Sequence, residues 1–209
     1  MSIYSFNNLE SVRQNKILFQ DLNITIKDGG LLQINGANGS GKSSLLQICT
    51  GLIEPTSGEI RWNKKNIRNF RYEFQNNILY IGHTNGIKSI LTIEENMKIM
   101  NALAGKKSVI DYSIILEEIG MPNMNEIFAH NISAGQQRRI GLTRLFMSKS
   151  KLWFLDEPFN ALDKQGKKIV EKIIVKHCNN GGIVFFTTHQ KIEIDNYPLQ
   201  NINLGNNNA

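Results

Sequence analysis

Cysteine is scarce in this chain: 209 residues contain two, Cys49 and Cys178. They lie far apart, show no metal-ligand spacing and fall in segments that read as helical. That pattern excludes a disulfide scaffold and a zinc motif and leaves two inert core thiols in a reduced compartment. Long hydrophobic runs are missing too. The best are short ones such as LWFL and IVFF, against the roughly 20 apolar residues that a membrane-spanning helix requires. The opening MSIYSFNNLES has neither the basic stretch nor the apolar stretch of a secretory signal. The expectation is a protein that stays in the cytoplasm and serves any membrane process from its surface. No internal repeat is visible, and the one biased segment, Asn206 to Asn208, is expected to be a frayed tail. Excess charge is modest at +6. It permits nucleic acid or an anionic membrane without arguing for either, and solubility together with a polyanionic ligand accounts for it.

What is present suits one large or two small folded domains: 41% of the residues are apolar, enough for a substantial core. Leu22, Ile24 and Ile26 alternate with polar residues, and Asp28-Gly29-Gly30 then turns the chain into Leu31 to Ile34, so the opening third reads as strands. Leu45, Leu46, Cys49 and Leu52 share one face at helical spacing. Pro55-Thr56-Ser57-Gly58 is a turn before a short strand, Glu59 to Trp62. Ile78 to Ile81 reads as a buried strand. Thr92 with Glu95 forms a capping box opening a helix through Met100, and Ser108 to Ile119 predicts another, closed by Gly120. Strands and helices alternate again from Lys151: Leu152 to Leu155, a helix from about Lys164 to His177, then Ile183 to Thr187. This order predicts a largely parallel sheet covered by helices, interrupted by a helical insert.

Four groups of residues carry chemistry. Gly36-Ala37-Asn38-Gly39-Ser40-Gly41-Lys42-Ser43 fits G-x-x-x-x-G-K-[ST], lies between a predicted strand and a predicted helix, and runs on into Ser44. In such a loop glycines let backbone N–H groups wrap phosphate oxygens, Lys42 reaches the β- and γ-phosphates, and Ser43 can ligate Mg²⁺. Leu152 to Leu155 delivers Asp156 and Glu157 at its C-terminal end, where ligands sit in open α/β sheets. Asp156 is placed to hold Mg²⁺ through water, and Glu157 is the candidate general base that polarises an attacking water. Asn131 to Arg139 precedes an apolar helix. Ser133 there is an N-cap, and a helix start with small residues is also a second anion site. One nucleotide needs only one such loop, so the surplus points to phosphate contact from a second subunit. His189, after Thr187-Thr188, sets an imidazole at another strand end. Such a residue is commonly a surface histidine, but beside a phosphate loop it can donate to the γ-phosphate and position water.

Together these elements resemble the nucleotide-binding subunits of ATP-binding-cassette (ABC) transporters. Walker A corresponds to Gly36 to Ser43, the signature to Ile132-Ser133-Ala134-Gly135-Gln136, and Walker B to Leu152 to Asp156 with Glu157 following. The D-loop corresponds to Asn160-Ala161-Leu162-Asp163 and the H-loop to His189. The resemblance covers essentially the whole chain. It implies a P-loop NTPase α/β fold of the ABC ATPase kind: a mixed, mostly parallel core sheet, an N-terminal antiparallel β subdomain and a small helical subdomain at about 86–146. Residues 1–209 would then form a single ATP-binding domain. It also implies ATP and Mg²⁺ as ligands and a head-to-tail dimer with a second copy of the chain. In that dimer Ser133, Gly135 and Gln136 of one subunit, with Asp163 nearby, close over ATP held by the Walker A loop of the other.

A narrower resemblance is to the ATP-binding subunits of the haem exporters of cytochrome c biogenesis. It rests on Tyr80-Ile81-Gly82-His83 with Gly86-Ile87-Lys88, on Ser133 to Arg139, on Asp156-Glu157-Pro158-Phe159, and on Gly181-Gly182-Ile183-Val184 leading to Thr187-Thr188-His189-Gln190. It implies a peripheral subunit on the cytoplasmic face of the inner membrane, bound to a multi-spanning membrane partner. ATP hydrolysis there is associated with release of haem-loaded chaperone. The resemblance implies no nucleic-acid partner and no direct contact with haem. Three positions depart from the general family, and at one of them, Ala134 in place of a signature glycine, the added methyl group costs little. His83 stands where the Q-loop glutamine is usual, and direct Mg²⁺ ligation is not carried over to it. The aromatic that stacks on adenine is missing from Ser11-Val12-Arg13-Gln14, where only Arg13 offers a stacking plane. The competing readings are an ABC transporter ATPase subunit serving another substrate, since the substrate is met by the partner chain, and a soluble ABC protein of translation or DNA repair. Two cassettes or a long coiled-coil insertion mark such soluble proteins, and the single cassette and short insert here argue against both soluble kinds.

Overall fold

The computed structural model describes residues 2–104, 110–190, 192–194 and 197–205. In chain order they form β1 (Ile3–Arg13), β2 (Lys16–Lys27), β3 (Leu31–Asn35), α1 (Lys42–Cys49), β4 (Ser57–Trp62), β5 (Lys65–Asn66), α2 (Arg71–Gln75) and β6 (Ile78–Ile81). Then follow α3 (Ile93–Leu103), α4 (Tyr112–Glu118), α5 (Ala134–Leu142), α6 (Arg144–Met147), β7 (Leu152–Leu155), α7 (Lys164–Asn179), β8 (Ile183–Thr188) and β9 (Gln200–Asn203). The chain divides into two compact units. The first is Met1–Gly82, Ser150–Pro158 and Val175–Ala209, and the second is His83–Lys149 with Phe159–Ile174.

The first unit holds two sheets. Strands β2-β1-β4-β5 form an antiparallel sheet, and β6-β7-β8-β3-β9 form a sheet in which every pairing is parallel. The β1–β2 hairpin closes on Gln14 and Asn15, both at positive φ, as a two-residue turn requires. All of β7 (LWFL) and β8 (IVFFTT) is buried, the continuous apolar pattern of parallel strands covered on both faces. Tyr4, Phe6 and Ile26 of the antiparallel sheet share one core with Leu32, Ile34, Phe154 and Phe185 of the parallel sheet and with Leu45, Leu46 and Cys49 of α1. Tyr4 ties the three together: its ring meets Phe185 edge-on at 4.8 Å, and its hydroxyl donates to the Cys49 carbonyl at 2.7 Å.

Packing, not capping, holds α1. No side chain caps it, yet each fully buried large apolar side chain contributes about 1.5–3 kcal/mol, against about 1 kcal/mol for a good N-cap. The helix stops sooner than its apolar spacing predicts. Thr50 is the C-cap and Gly51 turns left-handed, so Leu52 lies beyond the helix and is exposed instead of joining the buried face. Cys49 and Cys178 are both free and buried, and burial pushes both thiols up to about 12, as inert core residues.

The second unit is helical around Ile93, Met97, Leu116, Ile119, Ile132, Ile140 and Met147. The expected capping box is present: Glu95 N donates to Thr92 Oγ1 at 3.2 Å, and Thr92 N donates to Glu95 Oε2 at 2.8 Å. Helix α4 starts at Tyr112, where Asp111 Oδ1 accepts from Ser113 N at 3.0 Å, and Gly120 follows its end at positive φ. The expected helical residues Ser108 and Val109, and the tail Asn206 to Asn208, lie outside the described residues. Among the described residues no helix is long and apolar enough to cross a membrane.

Candidate nucleotide-binding site

The parallel sheet brings the ends of β3, β7 and β8 together, and the residues that carry chemistry in the first unit follow those ends. The loop Gly36–Ser43 leaves β3 and enters α1. Ala37, Asn38, Gly39 and Ser43 are exposed along it, Gly36, Ser40, Gly41 and Ser44 half-buried, and Lys42 buried. Only glycine fits at position 36, because a Cβ there would stand 2.9 Å from the Leu204 carbonyl and against Ser40 Oγ. Lys42 Nζ donates back to the Gly36 carbonyl at 2.8 Å and the Ala37 carbonyl at 3.1 Å, so the ammonium sits inside the curve of its own loop.

This loop fits an anion on two counts. Helix α1 begins at Gly41 with no side-chain cap and no acidic residue in its first turn, so its positive end faces the loop uncompensated. Ser40 Oγ is buried and finds no hydrogen-bond partner among the described residues, so it is a polar atom that a phosphate oxygen would satisfy. Helix α5 starts differently. Ser133 Oγ accepts from Gln136 N at 3.2 Å, and Gln136 Oε1 accepts from Ser133 N at 2.9 Å. Ser133 is therefore the expected N-cap, and Gln136 completes a capping box that the sequence reading did not identify.

Walker B ends in two unlike carboxylates. Asp156 is buried, and its Oδ1 accepts from Thr187 Oγ1 at 2.6 Å. Glu157 takes a left-handed backbone, φ 48, and its N–H donates to the same Thr187 Oγ1 at 2.8 Å. The turn aims Glu157 Oε1 to within 3.8 Å of Lys42 Nζ and 3.7 Å of His189 Nδ1. His189 is partly exposed, and its Nε2 lies 3.4 Å from Gln190 Nε2. Lys42, Glu157 and His189, which are 115 and 32 residues apart in sequence, thus converge on one point. Such a group can bind a phosphate, take a proton from water and hold a polar ligand beside an imidazole.

The sequence reading treated Thr187 as a neighbour of His189 and missed its link to both carboxylates. No local pattern signals it, since the contact depends on β7 lying beside β8. Tyr80, which enters the sequence reading only as part of a resemblance motif, stands in β6 within reach of the Asp156 charge. Burial is the main reason its phenol is held above the ordinary value, a hydrogen bond with Gln47 opposing this and the Asp156 charge adding to it.

The remaining expected residues, apart from Arg13, lie in the second unit. Asp163 precedes α7. Its Oδ1 accepts from Gly166 N at 2.7 Å and from Arg139 at 2.6 Å, and these bonds, the Gly166 N–H first, hold its carboxyl below the usual range. A Cβ on Gly135 would meet the Ala161 carbonyl at 2.7 Å, so glycine is what lets α5 approach the 161–163 segment. His83 is exposed, and its carbonyl accepts from Arg138, which also donates to Asn85 Oδ1 at 3.1 Å. In the first unit, Arg13 is exposed at the end of the β1–β2 hairpin. Among the described residues no group of three or more His, Cys, Asp or Glu side chains forms a metal cluster.

A parallel P-loop core beside an antiparallel sheet, with this set of loop ends, defines an ATP-binding cassette. The chain belongs to the ABC transporter family, whose model matches residues 19–160. Among curated proteins it is 42% identical over 198 residues to the cytochrome c biogenesis ATP-binding export protein CcmA of Aliivibrio fischeri, covering 95% of this chain and 97% of that one. It is 45% identical over 196 residues to the protein of the same name from Histophilus somni, covering 92% and 88%. Among solved structures, a putative ABC transporter ATP-binding protein from Pyrococcus furiosus superimposes with a TM-score of 0.82 at 23% identity, covering 97% of both chains. A dimeric ATP-binding cassette in a post-hydrolysis state, bound to ADP and Pi, superimposes with a TM-score of 0.73 at 20% identity over 90% of this chain and 88% of that one. These two likenesses concern the fold.

Proposed function

We propose that this chain is the ATP-hydrolysing subunit of an ABC exporter of cytochrome c biogenesis, and that its turnover drives release of haem-loaded chaperone. The observation that carries the catalytic reading is the convergence of Lys42 and His189 on one carboxylate oxygen of Glu157. The export assignment is supported by its likeness to the cytochrome c biogenesis export proteins that match nearly the whole chain. On this reading residues 1–209 are one ATP-binding domain, with 86–146 as its helical insert.

In this site the loop from Gly36 to Ser44 wraps the phosphates with backbone N–H groups, and Lys42 gives up its carbonyl partners for the β- and γ-oxygens. Glu157 takes the proton of the attacking water, and His189 donates to the γ-phosphate and keeps that water in line. Ser43, and Asp156 through water, would hold Mg²⁺, which neutralises charge on the phosphates. A second copy completes each site head to tail, its Ser133, Gly135 and Gln136 closing over the nucleotide with Asp163 beside them. In that dimer the Ser133–Gln136 box opens in favour of phosphate contacts. The chain works peripherally on the cytoplasmic face of the inner membrane, against a multi-spanning subunit.

Purification from membranes tests this reading. The expected result is co-purification with a multi-spanning protein and ATP hydrolysis that depends on Mg²⁺. A chain recovered wholly as a soluble monomer that leaves ATP intact would overturn it.

A further inference from the structure

Thr187 is fully buried at the end of β8, in the parallel strand beside β7. The register pairs Leu155 with Phe186, so the next step of each strand brings Asp156 alongside Thr187. One hydroxyl there makes two bonds of opposite sense: it donates its only proton to Asp156 Oδ1 at 2.6 Å and accepts the Glu157 N–H at 2.8 Å. The first bond fixes the rotation of the Asp156 carboxyl group. The second stabilises Glu157 in a left-handed conformation that non-glycine residues seldom adopt. That turn directs the Glu157 carboxylate toward Lys42 and His189.

We propose that Thr187 is a positioning residue that sets both Walker B carboxylates at once, Asp156 through its side chain and Glu157 through its backbone. The inference rests on the ATPase reading above and adds a residue to it. The side-chain chemistry is specific. Valine has the same shape but can neither donate to Asp156 nor accept from Glu157, so Asp156 Oδ1 and the Glu157 N–H each lose one hydrogen bond. Serine keeps both bonds and loses only a methyl group. Branching at Cβ also restricts the threonine rotamer, which keeps the hydroxyl on station between the two strands.

The test uses the full chain with Thr187→Val and Thr187→Ser. Thermal melting is followed against Mg²⁺ at fixed ATP, alongside steady-state hydrolysis and nucleotide affinity. In Thr187→Val the Mg²⁺ concentration that half-saturates the ATP-induced thermal shift is expected to rise, and kcat to fall, by about ten- to a hundredfold. Nucleotide affinity without Mg²⁺ should stay within about twofold, because Lys42 and the loop are untouched. Thr187→Ser should restore both quantities to near the parent values. If Thr187→Val does not fold, the serine variant decides. Parental Mg²⁺ dependence in serine supports the hydroxyl's role, whereas weakened Mg²⁺ dependence at parental melting temperature overturns it. A valine variant that matches the parent in Mg²⁺ dependence and kcat overturns this inference alone. A parent chain that neither binds nor hydrolyses ATP overturns the functional reading and this inference with it.

Discussion

Lys42 Nζ lies 3.8 Å from Glu157 Oε1 while it donates to the carbonyls of Gly36 and Ala37. The cation of the phosphate loop and the candidate base of Walker B are therefore already neighbours, and the lysine is held by bonds that a phosphate can replace. With Lys42 buried and Glu157 only 16% exposed, water does little to screen the pair.

Replacing Lys42 by alanine should lower ATP affinity by at least about tenfold, the equivalent of one charge-assisted hydrogen bond. Isothermal calorimetry measures this directly. Affinity equal to that of the parent would remove Lys42 from the phosphate grip.

Glu157→Gln keeps the side-chain shape but loses its basicity. Hydrolysis should fall by about 10²–10⁴-fold while ATP binding persists, and the ATP-bound variant should accumulate as a dimer by size-exclusion chromatography. Near-normal turnover would show that another group takes the proton.

Gly135→Ala tests the close approach in the second unit, where the added Cβ would stand 2.7 Å from the Ala161 carbonyl. Relief requires α5 or the 161–163 segment to shift, at about 1–3 kcal/mol of stability. Urea denaturation should register that loss, and ATP turnover should fall with it. Parental stability would mean that the neighbouring backbone gives way freely.

His177 stacks on Trp153 with ring centroids 3.7 Å apart and planes within 4°. Burial pushes its pKa down from 6.5 to about 4, the Lys151 charge adding to this and a hydrogen bond to the Lys151 carbonyl opposing it. Between those two values the unfolded chain binds a proton that the folded chain does not. Stability should therefore fall as pH drops from 6.5 toward 4. Melting temperatures across that window should fall less steeply in His177→Phe, whose ring stacks without titrating. Identical slopes in the two proteins would assign the acid sensitivity to other groups.

Where recognition elements are short in sequence, the chain could be read directly. The loop at Gly36 to Ser43, the Thr92–Glu95 box, the apolar strand before Asp156 and the Ser133 cap each depend on residues a few positions apart, whose spacing is fixed by helix and strand periods. Local spacing failed where a terminus was decided by backbone conformation. Gly51 ends α1 at positive φ and puts Leu52 outside the face its periodicity had assigned to it.

By itself, then, the sequence determined the fold class, the phosphate loop and the identities of Asp156, Glu157 and His189 as residues at strand ends. Only the tertiary structure decided which of them meet. The parallel pairing of β7 with β8 sets Thr187 against Asp156 and Glu157, and the pairing of β3 with β8 brings Lys42 and His189 to the same carboxylate. The physical reason is that parallel strands pair across long connections, so their register is set by burial of the whole sheet and leaves no trace in any short window of residues.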